Sequence, residues 1–570
     1  MAALITLAIS PLLLYAATTP KFYLLSLILI VLIIKFIWEV KFYFNFLSKI
    51  LFFSCVALIL SFIINVITTK DPIITTLLGS TASRNGLISN LSYVLIFLLF
   101  ASRKNNFQIN TDLVFKNLFY LGLINSIYGL MQYYGYDLIP WTSTDRSDRG
   151  TYIYLMLGNT NYSSLLLNFT LIGTLYFVSN LRNLKPLLFI GWLSILVHLV
   201  LLFLIFDIQG IIILLVSIFF IFRIWIIQYN FVVSILLKLW WLLLLITSFF
   251  SLLGIRGVGP LASLLFKESL IDRFYTWTIA WDTIKNNFIF GVGMDSFFSG
   301  YSMYRTVESV EYRRKNFDSY ADNAHNIFIQ NFATGGIFVF LSYFLVWLLV
   351  LIACLRVIKN PKIDPRLNWL VVLWFASQLY LTVSPGVIPL SVWTWIFAGL
   401  IASNFYSTGL DSDHKIGDKK LMSKNRVNKY GKNTTIFASL IITSIIIGKS
   451  LYSDYLFVKA RSDFLIYKKN DPLINISNIY YSAKYLYSLD HKVLAARILA
   501  NSGNEFEALE LSQNVIDLFP RSLAGWDTIA VIYEQSGRSK LAIPYRKMTV
   551  QLDPLNPRFK DLLAKNLGVE

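Results

Sequence analysis

The sequence predicts an all-α, polytopic membrane protein of about 12–13 helical spans, followed by a soluble domain of helical repeats. Three observations carry this. The 570 residues are 56% hydrophobic and 14% charged, with a mean hydropathy of +0.60. Apolar runs of about 20 residues, the length a bilayer core demands, recur along most of the chain. From Asp454 onward those runs stop, and small residues, glycines and prolines return at an interval of 34 residues.

Hydropathy places the spans at 3–19, 22–38, 48–67, 88–102, 115–135, 160–179, 186–206, 210–228, 232–254, 329–354, 367–383, 386–406 and 434–452. The first stretch has no basic leader and no small-residue cleavage site, so it reads as a retained span and not a signal peptide. Arg103, Lys104, Arg182, Lys185, Arg356, Lys359, Lys362 and Arg366 fall in loops of one parity, joined by the lysine-rich stretch 407–433. Lys and Arg concentrate in cytoplasmic loops. The amino terminus is therefore expected inside and, after thirteen spans, residues 454–570 outside. The net charge of +18 is thus a topology signal, and no nucleic-acid partner is expected. Cys55 and Cys354 sit far apart in apolar spans and read as small hydrophobes, not as a metal site or a disulfide.

Two domains follow. Residues 1–453 form the membrane domain with a large outer loop at 255–328, and 454–570 form an extracytoplasmic repeat domain. Within the loop, bases and acids balance, which lets a long segment cross despite its arginines. Leu270–Asn286 has helical character and ends at a turn, Gly291-Val292-Gly293, too short for a dinucleotide fingerprint. Beyond Asp454, Ser502-Gly503, Ala508 and Pro520 recur as Ser536-Gly537, Ala542 and Pro554, with Ala496 and Ala530 at the same interval. This pattern resembles tetratricopeptide repeats, whose stacked helix pairs form concave surfaces for a protein partner. Residues 454–490 are expected to be helical but do not fit the period.

Four histidines are present. His198 lies in an apolar span and reads as a satisfied core residue, while His414 and His491 read as solvated. His325 stands at the outer mouth of a span beside Asn323 and Asn326, where an imidazole can take a proton from a hydroxyl. Helix capping by the Asn-Ala-His-Asn run is an equally good reading. Arg84, Arg256 and Arg273 share the outer face with it. Each alone is an ordinary interfacial anchor, yet together their guanidinium forks suit a lipid pyrophosphate. Asn159 and Asn161 open the sixth span as ordinary caps whose neighbouring amides can also bind an anion. Asp145-Arg146-Ser147-Asp148-Arg149 reads as a solvated loop, because its interleaved arginines disfavour a metal. No metal site and no cofactor is expected.

In order along the chain, Gly158-Asn159-Thr160-Asn161, Arg273-x-x-x-Trp277, Gly291-Val292-Gly293, Ala324-His325-Asn326 and Gly335-Gly336 resemble the O-antigen ligase and polymerase superfamily over about residues 70–450. Gln132-Tyr133-Tyr134-Gly135 and the loop holding Arg84 are similar to its branch with carboxyl-terminal tetratricopeptide repeats. The resemblance implies an enzyme of the bacterial inner membrane. It would move a glycan from undecaprenyl pyrophosphate to a lipid, glycan or protein acceptor on the outer face, without a metal or cofactor. It also implies that Arg273 binds the pyrophosphate and that His325 acts near the transferring group, with Arg84, Arg256, Gln209, Asn159, Asn161, Trp277 and Asn326 as substrate-binding candidates. Where relatives carry Ser-Arg-Gly, this chain has Ile208-Gln209-Gly210, so a phosphate contact is missing there or comes from Arg84 or Arg256. A bicarbonate-type transporter is the alternative, disfavoured because the halves show no repeat and the charges lie in loops. A scaffold would leave Arg273 and His325 unexplained.

Overall fold

The structure, a computed structural model, describes residues 1–39, 46–69, 73–102, 107–139, 153–181, 185–226, 257–260, 268–312, 320–359, 364–405, 426–464 and 472–568, with isolated residues between 246 and 262. The expected span 232–254, Arg256, His414, the loop 145–149 and most of the lysine-rich stretch lie outside the described residues.

The described chain is helical, without strands. Its membrane part comprises α1 (Ala2–Leu7), α2 (Thr19–Glu39), α3 (Phe46–Thr68), α4 (Ile73–Leu78), α5 (Leu87–Ala101), α6 (Phe107–Tyr133), α7 (Thr160–Asn180), α8 (Lys185–Ile205) and α9 (Ile208–Ile226). The outer loop holds α10 (Glu268–Asn286), α11 (Phe297–Tyr304) and α12 (Val307–Tyr312), and α13 (Ile327–Lys359), α14 (Pro365–Leu381) and α15 (Ile388–Phe405) return to the bundle. Five described helices have the length and hydropathy of a membrane span, and four shorter apolar ones accompany them. The protein is thus multi-pass, and α2, α3, α5 to α9 and α13 to α15 coincide with ten of the expected spans.

The first expected span is not one. Only Ala2–Leu7 is helical, and residues 11–18 turn back along the loop face. Pro11 and Pro20 explain it. A proline inside a helix removes a backbone donor and clashes with the preceding turn, whereas Pro20 is welcome in the first turn of α2. Losing this span leaves the parity of later loops intact. It moves the amino-terminal turn to the face that carries residues 454–570, and hydrogen bonds tie it there: Leu14 N to Asp454 Oδ1 at 3.1 Å, and Tyr15 Oη to Asp490 Oδ2 at 2.7 Å.

The core forms because helices apolar all round bury against one another: α15 on α5, α13 on α3, α6 on α7. α13 breaks at Gly336, whose φ is 72°. A Cβ there would lie 2.2 Å from the Ile289 carbonyl oxygen, so only glycine lets the two backbones meet. Val292 N and Gly293 N donate to Ala333 O and Thr334 O at 3.0 and 2.9 Å, and Ile337 N donates to Phe288 O at 2.9 Å. Asn65 of α3 completes the clasp, donating to Thr334 O and accepting from Met294 N. The Gly-Val-Gly turn is therefore the seat that fixes the outer loop to the bundle.

Beyond the bundle, α16 (Arg426–Ser462) contains the expected span 434–452 and is long enough, at about 1.5 Å per residue, to project past a bilayer. It leads into α17 (Pro472–Tyr485), α18 (Leu489–Asn501), α19 (Glu505–Leu518), α20 (Leu523–Gln535), α21 (Ser539–Leu552) and α22 (Pro557–Leu567). Successive helices pack against one another. Ala496, Ala508, Ala530 and Ala542 are fully buried, and Gly503 and Gly537 take left-handed turns between helices. His491 corrects the solvated reading. It is buried, with Nε2 2.9 Å from Asp454 Oδ1 and Nδ1 2.6 Å from Ser488 Oγ, so it locks α18 onto α16. His198 is a core residue as expected, held by Ser194 O and Thr170 Oγ1.

These helices dock on the outer loop. Arg305 makes a two-pronged ion pair with Asp553, both side chains wholly buried, and Tyr320 adds its ring to the guanidinium and its hydroxyl to the carboxylate. Arg521 donates to Val292 O, beside the glycine seat.

Candidate functional site

A chamber of about 760 Å³ opens where the amino-terminal turn, the loop after α4, the start of α7, the segment before α13, the α14–α15 corner and the end of α16 converge. Lys21, Asn159, Tyr162, Asp322, His325 and Arg461 supply its chemistry. A cleft of about 100 Å³ between α3, α5, α13, α14 and α15 shares Asn85, Asn323 and Gly386 with the chamber, and Tyr343, Trp347, Trp374 and Trp395 line it.

His325 reaches the chamber because its backbone is left-handed, with φ 52°. That conformation costs a non-glycine residue free energy and persists only where its surroundings impose it. Asn323 Oδ1 accepts from His325 N at 2.7 Å, Trp277 Nε1 donates to Ala324 O at 2.8 Å, and Gln330 Oε1 accepts from Ala324 N at 2.8 Å. Asn326 Oδ1 accepts from Phe328 N and Ile329 N and caps α13, while its amide donates to Thr382 O at 3.0 Å. Capping thus falls to Asn326, and His325 lines the chamber. Trp277 and Asn326, expected to touch substrate, hold the His325 segment.

Arg273 lies one turn before Trp277 on the same face of α10. It is not part of the chamber wall. Burial lowers its pKa, and the charge of Asp207 opposes that most strongly. Asp207 also caps α9, accepting from Gln209 N at 3.3 Å and Gly210 N at 3.0 Å. The Gln209 side chain is spent at both ends. It donates to Tyr380 O at 3.0 Å and accepts from Ser384 Oγ at 2.7 Å, pinning α9 to the α14–α15 corner. Asn159 lines the chamber as the cap of α7, accepting from Asn161 N at 2.8 Å. Asn161 is not in the wall.

Arg84 is buried behind the wall, its guanidinium 5.3 Å from the Phe22 ring centre and its Nε without a hydrogen bond, while Ser83 and Asn85 face the chamber. Burial lowers its pKa. Asp295 fixes this loop: its Oδ2 accepts from Ser80 N at 2.6 Å, Ser83 Oγ at 2.5 Å and Asn85 N at 3.2 Å. Enclosure outweighs those bonds and pushes the carboxyl from 3.8 up to about 6. The cost of ionising it is therefore absent below pH 3.8, grows between, and is complete above about pH 6. Because one oxygen takes all three bonds, Asp295→Asn can keep them. This variant should melt higher than the parent at pH 8, by up to roughly 3 kcal/mol, and the gap should shrink on acidification toward pH 4. A gap that widened as pH fell would reverse the sign argued here.

Lys21 and Arg461 escaped the sequence reading. The Lys21 ammonium is surrounded by three carbonyls, Ala8, Ala17 and Met156, at 2.7–2.8 Å. A lysine just inside an apolar run was its only signal. Arg461 carried none, since long-range folding alone returns the end of α16 to His325. Among the described residues no group of three or more His, Cys, Asp or Glu converges as a metal ion would require. No curated protein matches the chain. Residues 190–344 match the family model described as O-antigen ligase, a segment that runs from α8 through the outer loop into α13 and contains Gln209, Arg273, Trp277, His325 and Asn326.

Proposed function

We propose that the chain transfers a glycan from undecaprenyl pyrophosphate to a hydroxyl acceptor at the outer face of the bacterial inner membrane. One observation carries this reading: an imidazole held on a strained backbone lines a half-open chamber of about 760 Å³, inside the segment that matches the O-antigen ligase family. The aromatic cleft, contiguous with the chamber and set among apolar helices, suits the isoprenoid part of such a donor.

The acceptor hydroxyl attacks the anomeric carbon. Its oxygen forms the new glycosidic bond as the bond from that carbon to the phosphate oxygen breaks, and undecaprenyl pyrophosphate leaves with the electron pair. His325 accepts or orients the hydroxyl proton. Arg273 stabilises the charge developing on the leaving group, with Trp277 coupling its helix to the histidine segment. Asn159 presents the start of α7, Gln209 and Asn326 hold the frame, and Arg84 supports the wall from behind. Arg256 remains a further phosphate contact. Ligation to a lipid acceptor is the main reading, and chain polymerisation or transfer to a protein hydroxyl uses the same step. The tetratricopeptide-like helices present the acceptor or its protein carrier. Incubating the purified chain in lipid with a lipid-linked glycan and each acceptor class tests this. Glycan release only to water, or none at all, would end the transferase reading.

In this topology the amino-terminal turn and residues 454–570 lie outside and 407–433 inside. Phe506 is 78% exposed, and both native cysteines are buried. Phe506→Cys should therefore react with an impermeant maleimide in intact spheroplasts over a low background. Reaction only after lysis would invert the topology.

A further inference from the structure

We infer that Arg461, at the end of α16, binds the pyrophosphate of the lipid-linked donor and supplies the phosphate contact that Gln209 cannot make; this rests on the transferase reading above. Two basic side chains belong to the described chamber wall, Lys21 and Arg461. They differ in what they have left to give. An ammonium has three donors, and Lys21 has three carbonyls within bonding distance. A guanidinium has five donors in a planar fork, and that of Arg461 meets no hydrogen bond, ion pair or ring among the described residues. A half-buried arginine with its fork unspent, sharing a chamber wall with His325, matches two adjacent phosphate groups better than a neutral acceptor.

The position at 209 adds an independent reason. Both ends of its amide are bound to the α14–α15 corner, so the residue is closed to a ligand and carries no charge. A cation on α16 gives the chamber the positive charge that position 209 lacks. An ordinary alternative exists: a basic residue in the last turn offsets the helix dipole. Lys459 stands in that same turn but is absent from the chamber wall, so it separates the two roles.

The test uses the full-length chain in nanodiscs and three probes: a short isoprenyl pyrophosphate, its monophosphate and the uncharged isoprenol. The parent should bind the pyrophosphate most tightly, in a salt-sensitive way. Arg461→Gln should weaken pyrophosphate binding about ten- to a hundred-fold and leave isoprenol binding unchanged, whereas Lys459→Gln should change neither. Arg461→Lys should fall between, because the charge survives and the fork does not. Matching isoprenol affinity shows that Arg461→Gln has kept its fold. Full pyrophosphate affinity in Arg461→Gln, or an equal loss in Lys459→Gln, would overturn the assignment. A parent that does not prefer the pyrophosphate to the isoprenol would instead sink the donor reading itself.

Discussion

Replacing His325 with alanine is expected to lower transfer by about 10²- to 10⁴-fold, the usual reach of general acid–base catalysis, while binding of an isoprenyl pyrophosphate stays close to the parent's. The separation follows from where its neighbours are engaged. Asn326 caps α13, and the Ala324 backbone is held from both sides by Trp277 and Gln330, so groups other than the imidazole hold the α13 start. Alanine at a positive φ keeps the backbone strain, which His325→Gly relieves. Both variants should lose turnover alike although their melting temperatures differ. Near-normal transfer by either one would remove the imidazole from the chemistry. Parallel loss of turnover and pyrophosphate affinity would make it a donor ligand.

Removing Arg305 should cost about 3–5 kcal/mol, because it strands the Asp553 carboxylate in a wholly buried site with little beyond the Tyr320 hydroxyl. Arg305→Met should therefore loosen the joint between the outer loop and α21. Limited proteolysis within 454–570 should accelerate. Pairing it with Asp553→Leu removes the orphaned charge and should recover most of the stability. If Arg305→Met alone were as stable as the parent, the ion pair would be ornamental to docking. A double variant no better than the single would show that the ring of Tyr320, and not the charge, carries the contact.

Hydropathy made the bundle legible because spans in a bilayer must satisfy their backbone internally and present apolar side chains outward. The helices beyond 454 were legible for a different reason: Ala496, Ala508, Ala530 and Ala542, spaced by 34 residues in pairs, are fully buried. The first span misled because composition averages over Pro11, and one proline outweighs the apolar residues around it. The sequence sets His325 in a polar stretch at a span mouth, and the structure puts it in the chamber wall. Its partition from Asn326 could not be read from the sequence, since both suit a helix start. Arg84 and Gln209 looked like ligands by residue type, yet burial and hydrogen bonding turn them inward, and only three-dimensional neighbours decide that. Arg461 was illegible on principle, since nothing within a local window distinguishes it from Lys459.

The amino-terminal turn also sets an order of events in synthesis. Leu14 and Tyr15 are emitted first, but their partners, Asp454 and Asp490, follow only after nearly the whole chain has been inserted. Until then one side of the chamber has no wall. A chain cut short before α16 would keep His325 and Arg273 but leave that side of the chamber open to water.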